Sequence, residues 1–161
     1  MSMVIDGTNG LTFNNATTQN SGGKILQVVN AIYQTQASTT SLTAIDTGLT
    51  ASITPLFATS KILVMVDQGG LYVASGGGTQ GGNLILLKNG SNIATISGRY
   101  GGDPGTVTTM SVASASIGYL DSPATTSSIT YKTQYYSGNG QTVYVQVYSS
   151  ASTITLMEIA A

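Results

Sequence analysis

Apolar and polar residues alternate with a period of two along much of this chain, and no long stretch carries a helical period. The alternation is strictest over residues 141–148. Val143, Val145 and Val147 fall on one face there, and Thr142, Tyr144, Gln146 and Tyr148 on the other. Residues 61–67 (KILVMVD) break the rule by being almost continuously apolar, which predicts a strand covered on both faces. The best local signal is Asn89-Gly90 between residues 83–88 and 91–96. Both residues of that dipeptide tolerate positive φ, so it predicts a type I′ hairpin. A second hairpin is predicted for residues 127–136 and 141–148 around Ser137-Gly138-Asn139-Gly140.

Shorter strands are expected at residues 24–33, 41–46, 51–54 and 71–74, a long one at 106–119, and a closing one at 153–159. Pro55 suits a loop or a sheet edge. Some eight to ten strands, roughly 8–12 residues apart, predict an all-β chain folded as a jelly-roll β-sandwich. Residues 1–23 read differently, with turn signals and two short apolar pieces, Val4-Ile5 and Leu11 to Phe13. So polar a segment cannot bury enough surface to fold alone. The chain therefore divides into an extended N-terminal arm, 1–23, and a jelly-roll domain, 24–161, with Gly22-Gly23 as the hinge.

Composition narrows the function. Charged residues are 7% of the 161, the net charge is -1, and there is no His, Cys or Trp. Polarity comes mostly from 24 Thr, 19 Ser and 20 Gly. Without His or Cys there is no disulfide, no zinc site of the usual ligand types, no thiolate and no imidazole base. Five scattered cations make no basic stripe for nucleic acid. No apolar run approaches the ~18 residues of a spanning helix, so no membrane insertion is expected. Most side chains are small and Phe numbers only two, which predicts a thin core supported by assembly. The nine Tyr are the bulky residues available, and they suit a partly wet interface.

Residues Asp6-Gly7-Thr8-Asn9-Gly10-Leu11-Thr12-Phe13-Asn14-Asn15-Ala16-Thr17-Thr18-Gln19 resemble a connector common in tailed-bacteriophage fibre and virion proteins, with Asn15-Ala16 where that pattern carries Asp-Gly. Ser60-Lys61-Ile62-Leu63-Val64 and Ile154-Thr155-Leu156-Met157-Glu158-Ile159 resemble small phage structural proteins of the same type. Leu87-Lys88-Asn89-Gly90 and the run Gly140 to Gln146 are similar to pieces of the tumour-necrosis-factor and complement-globular-head jelly rolls. The phage resemblance implies a virion structural protein, and the jelly-roll resemblance implies a homotrimer about a threefold axis.

Candidate chemistry is sparse. Asp6, Asp46, Asp67, Asp103, Asp121 and Glu158 form no close acidic pair along the chain, whereas glycosidase-type work needs two carboxyls within roughly 5–9.5 Å. Glu158 is expected to be capped or paired with Lys132 or Arg99. The glycine-rich segments at 76–82 and 101–105 lack the strand–loop–helix context of a phosphate cradle and read as connections. Neither enzyme chemistry nor a cofactor or metal is expected. The Tyr face of residues 141–148, with Tyr144, Gln146 and Tyr148, is the candidate trimer interface. Val4, Ile5, Leu11 and Phe13 are the candidate anchor of the arm on other virion proteins. An arm of 23 residues reaches at most ~75 Å, which favours a decoration or cement protein on the virion surface. The alternative is the receptor-binding tip of a short fibre, whose Asn, Gln, Ser, Tyr and Gly loops suit a host surface glycan.

Overall fold

The computed structural model describes residues 25–74, 81–100 and 112–160 in full, and residues 4–6, 10–12 and 18–19 by their backbone. The three short segments are β1 (Val4–Asp6), β2 (Gly10–Thr12) and β3 (Thr18–Gln19), paired antiparallel as a small meander with Ile5 opposite Leu11.

The remaining strands are β4 (Ile25–Tyr33), β5 (Ala37–Thr39), β6 (Ile45–Ile53), β7 (Lys61–Val73), β8 (Gly82–Lys88), β9 (Ser91–Tyr100), β10 (Ala113–Asp121), β11 (Ile129–Ser137), β12 (Val143–Val145) and β13 (Ser152–Ile159). Eight of these build the sandwich: β4, β6 to β11, and β13. Numbered one to eight in chain order, they pair first with eighth, second with seventh, third with sixth and fourth with fifth. That is one long antiparallel hairpin with β8 and β9 at its tip. The hairpin is rolled so that β13 also meets β7 and β11 also meets β8. The resulting sheets run β4-β13-β7-β10 and β6-β11-β8-β9. This strand order is a jelly roll, as the sequence predicts. β12 and β5 extend the first sheet beyond the far end of β7.

The core is layered by the register. Across the inner face of the first sheet, Val29, Leu156, Val64 and Tyr119 form one row, and Ala31, Ile154, Val66 and Ile117 the next. Leu49, Ala51, Ile53, Leu86, Ile129 and Tyr131 face them from the second sheet. A second cluster, Leu71, Leu84, Tyr100, Tyr135, Val143 and Val145, lies towards β12. Between the clusters runs a polar belt. Gln68 donates to Ser152 Oγ at 2.8 Å, Thr133 donates to Gln68 Oε1 at 3.0 Å, and the Thr47 and Thr133 hydroxyls meet at 2.6 Å. These links join the two sheets through the interior, where each buried polar group needs a partner.

Two glycines are required by geometry. Gly48 (φ +94) sits where the β6–β11 register shifts, and a Cβ there would lie 2.2 Å from the Tyr33 ring of the opposite sheet. Gly70 (φ +64) lies on β7 between the residues that pair with β13 and those that pair with β12, where a Cβ would come 2.5 Å from the Val147 nitrogen. Asn89 (φ 47) and Gly90 (φ 85) form the tight turn that the sequence predicts between β8 and β9.

Four expectations are corrected. The two short strands predicted at 41–46 and 51–54 are a single strand, β6, bent at Gly48. Residues 127–136 and 141–148 do not form a hairpin. β11 pairs with β6 and β8, whereas β12 pairs with β5 and β7, so the turn at 137–140 carries the chain from one sheet to the other. The strict alternation of 141–148 stops at Val145, because Gln146 (φ 54), Tyr148 (φ 56) and Ser149 (φ 56) adopt left-handed backbone around a 3-10 turn at Val147–Ser149. Finally, among the described residues the apolar run 61–67 is covered on one face only: Ile62, Val64 and Val66 are buried, and Met65 is 47% exposed. The hinge at Gly22-Gly23, the glycine-rich residues 75–80 and 101–105, and residues 106–111 lie outside the described residues.

Candidate functional site

Below the apolar layers, the register places Gln27, Glu158, Ile62 and Asp121 in one inner-face row across β4, β13, β7 and β10. Two carboxylates therefore sit at the same end of the sandwich, on either side of Ile62. Glu158 is shut off from solvent beneath the loop 54–60. Gln27 Nε2 donates to its Oε2 at 2.6 Å, and the backbone N–H groups of Leu56 and Phe57 donate to Oε1 at 2.8 and 3.4 Å. Burial would push this carboxyl up. The hydrogen bonds from Gln27 and the two backbone groups outweigh it and hold the carboxyl below the usual range. Glu158 thus takes neither Lys132 nor Arg99 as partner. Lys132 pairs instead with Asp46 on the outer face of the second sheet, at 2.8 Å.

What Glu158 does is hold a loop. Gln27 Nε2 also donates to the Thr54 carbonyl at 2.7 Å, so one Gln–Glu pair grips the loop at Thr54, Leu56 and Phe57. Held there, Leu56 and Phe57 project outward, 59% and 56% exposed.

Asp121 works across the sandwich. Its Oδ2 accepts from Tyr131 Oη at 2.6 Å, on β11, and lies 2.6 Å from Lys88 Nζ, at the end of β8. Burial, the hydrogen bond to Asp121 and its charge all raise the Tyr131 hydroxyl far above its ordinary pKa. Tyr135 is pushed up to about 12 by burial, and Tyr100 is raised further by burial and by Tyr135.

Neither arrangement has the makings of a general acid with a facing base. Glu158 is saturated by donors, and Asp121 is neutralised by Lys88. Among the described residues there is no group of three or more His, Cys, Asp or Glu side chains.

The residues singled out in the sequence scatter. Tyr144 is half-buried, its ring centroid 5.4 Å from that of Tyr72, and Tyr148 is 72% exposed. Gln146 is fully buried and donates to Ser152 Oγ at 3.1 Å, so it belongs to the polar belt and not to an outer face. The reason is the left-handed turn at Gln146, which rotates its side chain inward. Val4, Ile5 and Leu11 lie in the β1–β2 ladder, and Phe13 lies outside the described residues. Sequence reasoning missed the role of Glu158, although a signal was present. Ile154, Leu156 and Glu158 share one face of β13, an acid in line with core residues.

The strand order defines a jelly-roll β-sandwich of two antiparallel sheets. The chain is similar to the VP2 subviral particle of infectious bursal disease virus, with a TM-score of 0.48 and 15% identity over 90% of this chain and 35% of that one. It is also similar to T=1 particles derived from infectious bursal virus, with a TM-score of 0.40 and 10% identity over 98% of this chain and 44% of the other. The chain thus spans less than half the length of either. No family model and no curated protein matches the sequence.

Proposed function

We propose that this protein is a non-enzymatic structural component of a virion, a homotrimer that decorates the particle surface. The observation that carries the reading is the rolled-hairpin strand order, a connectivity that recurs in capsid shells. Fold alone is an analogy. It is supported by buried acids that are engaged in holding loops and sheets, and by the resemblance of residues 6–19 to a phage connector.

In this reading residues 1–23 are the anchor, with Val4, Ile5, Leu11 and Phe13 docking on another virion protein. Val4, Ile5 and Leu11 lie in the β1–β3 meander, a small sheet whose free edge can accept a strand from the partner. Trimer contacts fall to Tyr144, with Tyr72 beside it, and to the exposed Tyr148. Three arms on one trimer multiply a modest single contact through effective concentration.

Deleting residues 1–20 tests the anchor. The truncated protein should keep its oligomeric mass and its β-rich circular dichroism, yet fail to join particles. Occupancy of virions at the wild-type level would overturn the anchor. Copy number separates decoration, at hundreds per particle, from a fibre tip that reads host glycans, at tens or fewer.

A further inference from the structure

Among the described residues, nothing covers the outer face of the first sheet, although its sequence calls for cover. Its register gives four rows. Ile25, Ile159 and Lys61 make the first; Val28, Met157, Leu63 and Leu120 the second; Asn30, Thr155, Met65 and Gly118 the third; Ile32, Thr153, Asp67 and Ser116 the fourth. Ile25, Val28, Ile32, Met65 and Leu120 on this face are 47–62% exposed. On the second sheet, by contrast, Ile85 and Leu87 are 8% and 4% exposed although their register partners are the outward Gln134 and Lys132.

We propose that this face binds the same face of a second copy of the chain, about a twofold axis lying in the interface, perpendicular to the strands and crossing β7 at Val64. Charge selects this occupant. Lys61 and Asp67 mark the two ends of the face on β7, and neither forms a salt bridge among the described residues. They are six positions apart, about 20 Å, too far to meet within one chain. The twofold reverses β7 on its copy, which sets each Lys61 against the other chain's Asp67. It also exchanges the second and third rows, so that Leu63 meets Met65 and Leu120 comes over Gly118. A Cβ at Gly118 would meet nothing within 4 Å, which leaves a hollow for that Leu. Such reciprocity, residue i on j and j on i, is what an isologous interface requires.

The area is adequate for a modest contact. Four strands at ~4.8 Å and seven residues at ~3.4 Å make a face of about 19 by 24 Å. Two such faces withdraw roughly 900 Å² in projection and more in accessible surface, near the ~1,000 Å² lower limit of a specific interface. Sheets packed this way cross at about 30°.

The experiment is sedimentation velocity of the full chain over a wide concentration range, with four proteins: wild type, Lys61→Asp, Asp67→Lys and the double exchange. Wild type should double in mass with concentration. Each single reversal sets like charges together twice across the axis and should weaken doubling on the order of a hundredfold. The double exchange should restore it, which a change confined to one chain's stability would not do. Absence of doubling in wild type at millimolar protein overturns the twofold, as does doubling that both single reversals leave intact. The mass of the smaller species tests the trimer separately: a monomer there sinks the threefold reading and leaves the twofold standing.

Discussion

Glu158 and Asp121 lie in one row, separated by Ile62, and solve the same problem in opposite ways. Among the described residues Glu158 has no cation beside it: an amide and two backbone N–H groups hold it, and a loop comes with them. Asp121 has a cation and a phenol, each from a different strand of the facing sheet. Glu158 therefore stabilises local structure that has no other fastening, whereas Asp121 reinforces a contact that packing also maintains. A charge held by backbone groups cannot be replaced by a better core, because the loop's N–H groups would lose their acceptor. A buried ion pair often can.

The largest expected effect is at Glu158. Glu158→Ala should cost about 3 kcal/mol, read from the denaturant midpoint, and should speed amide exchange at Leu56 and Phe57. Unchanged exchange there would mean that the loop holds itself. Glu158→Leu should be no better than the Ala variant, because shape does not restore the acceptor.

At Asp121 the outcome should be milder. Tyr131→Phe should lose about 1.5–3 kcal/mol as one hydrogen bond to a charged group disappears. Lys88→Met combined with Asp121→Leu should lose less than either substitution alone, measured as a double-mutant cycle.

Titration sharpens the contrast. The Glu158 carboxyl is lower in the folded state than in the unfolded chain, so its contribution is present above the ordinary carboxylate range and falls away as pH drops through the folded value. Glu158→Gln should flatten the acid limb of a stability–pH curve. The alkaline limb belongs to tyrosines. Tyr131, Tyr135 and Tyr100 are raised in the folded state, so their stabilisation is complete below ~10 and is lost as pH rises above it, through about 12 for Tyr135. Tyr131→Phe should shift alkaline unfolding upward in pH relative to neutral stability. The smallest effect is Asp46→Asn, on the exposed pair with Lys132, which should stay within about 0.5 kcal/mol.

How much of this was legible depended on whether the information was local. The Asn89-Gly90 turn and the closing strand at 153–159 are short-range patterns, and they read correctly. The jelly roll followed from strand number and spacing. Which sheet each strand enters is decided by partners far away, so the crossing at 137–140 looked like a hairpin. Gln146 and Tyr148 continued a perfect alternation on paper. Gln146 turns inward because Gly70 allows close approach and Ser152 offers an acceptor, and neither is visible from its neighbours. The run 61–67 reads as covered on both faces, but the described residues of the subunit cover one.

The first-with-eighth pairing also has a consequence in time. Gln27 and Glu158 are 131 positions apart, and among the described residues β4 has no sheet neighbour other than β13. A ribosome adding ~5–20 residues per second needs roughly 7–26 seconds to pass from one to the other. Through that interval β4 exists with its whole ladder unclaimed, and β7 has one edge bare. The tip hairpin of β8 and β9 is ready early, so assembly proceeds outward from the middle of the chain and closes at its extremes. Nascent chains stalled before residue 152 should accordingly be rich in unpaired strand and should favour chaperone capture, whatever the stability of the finished sandwich.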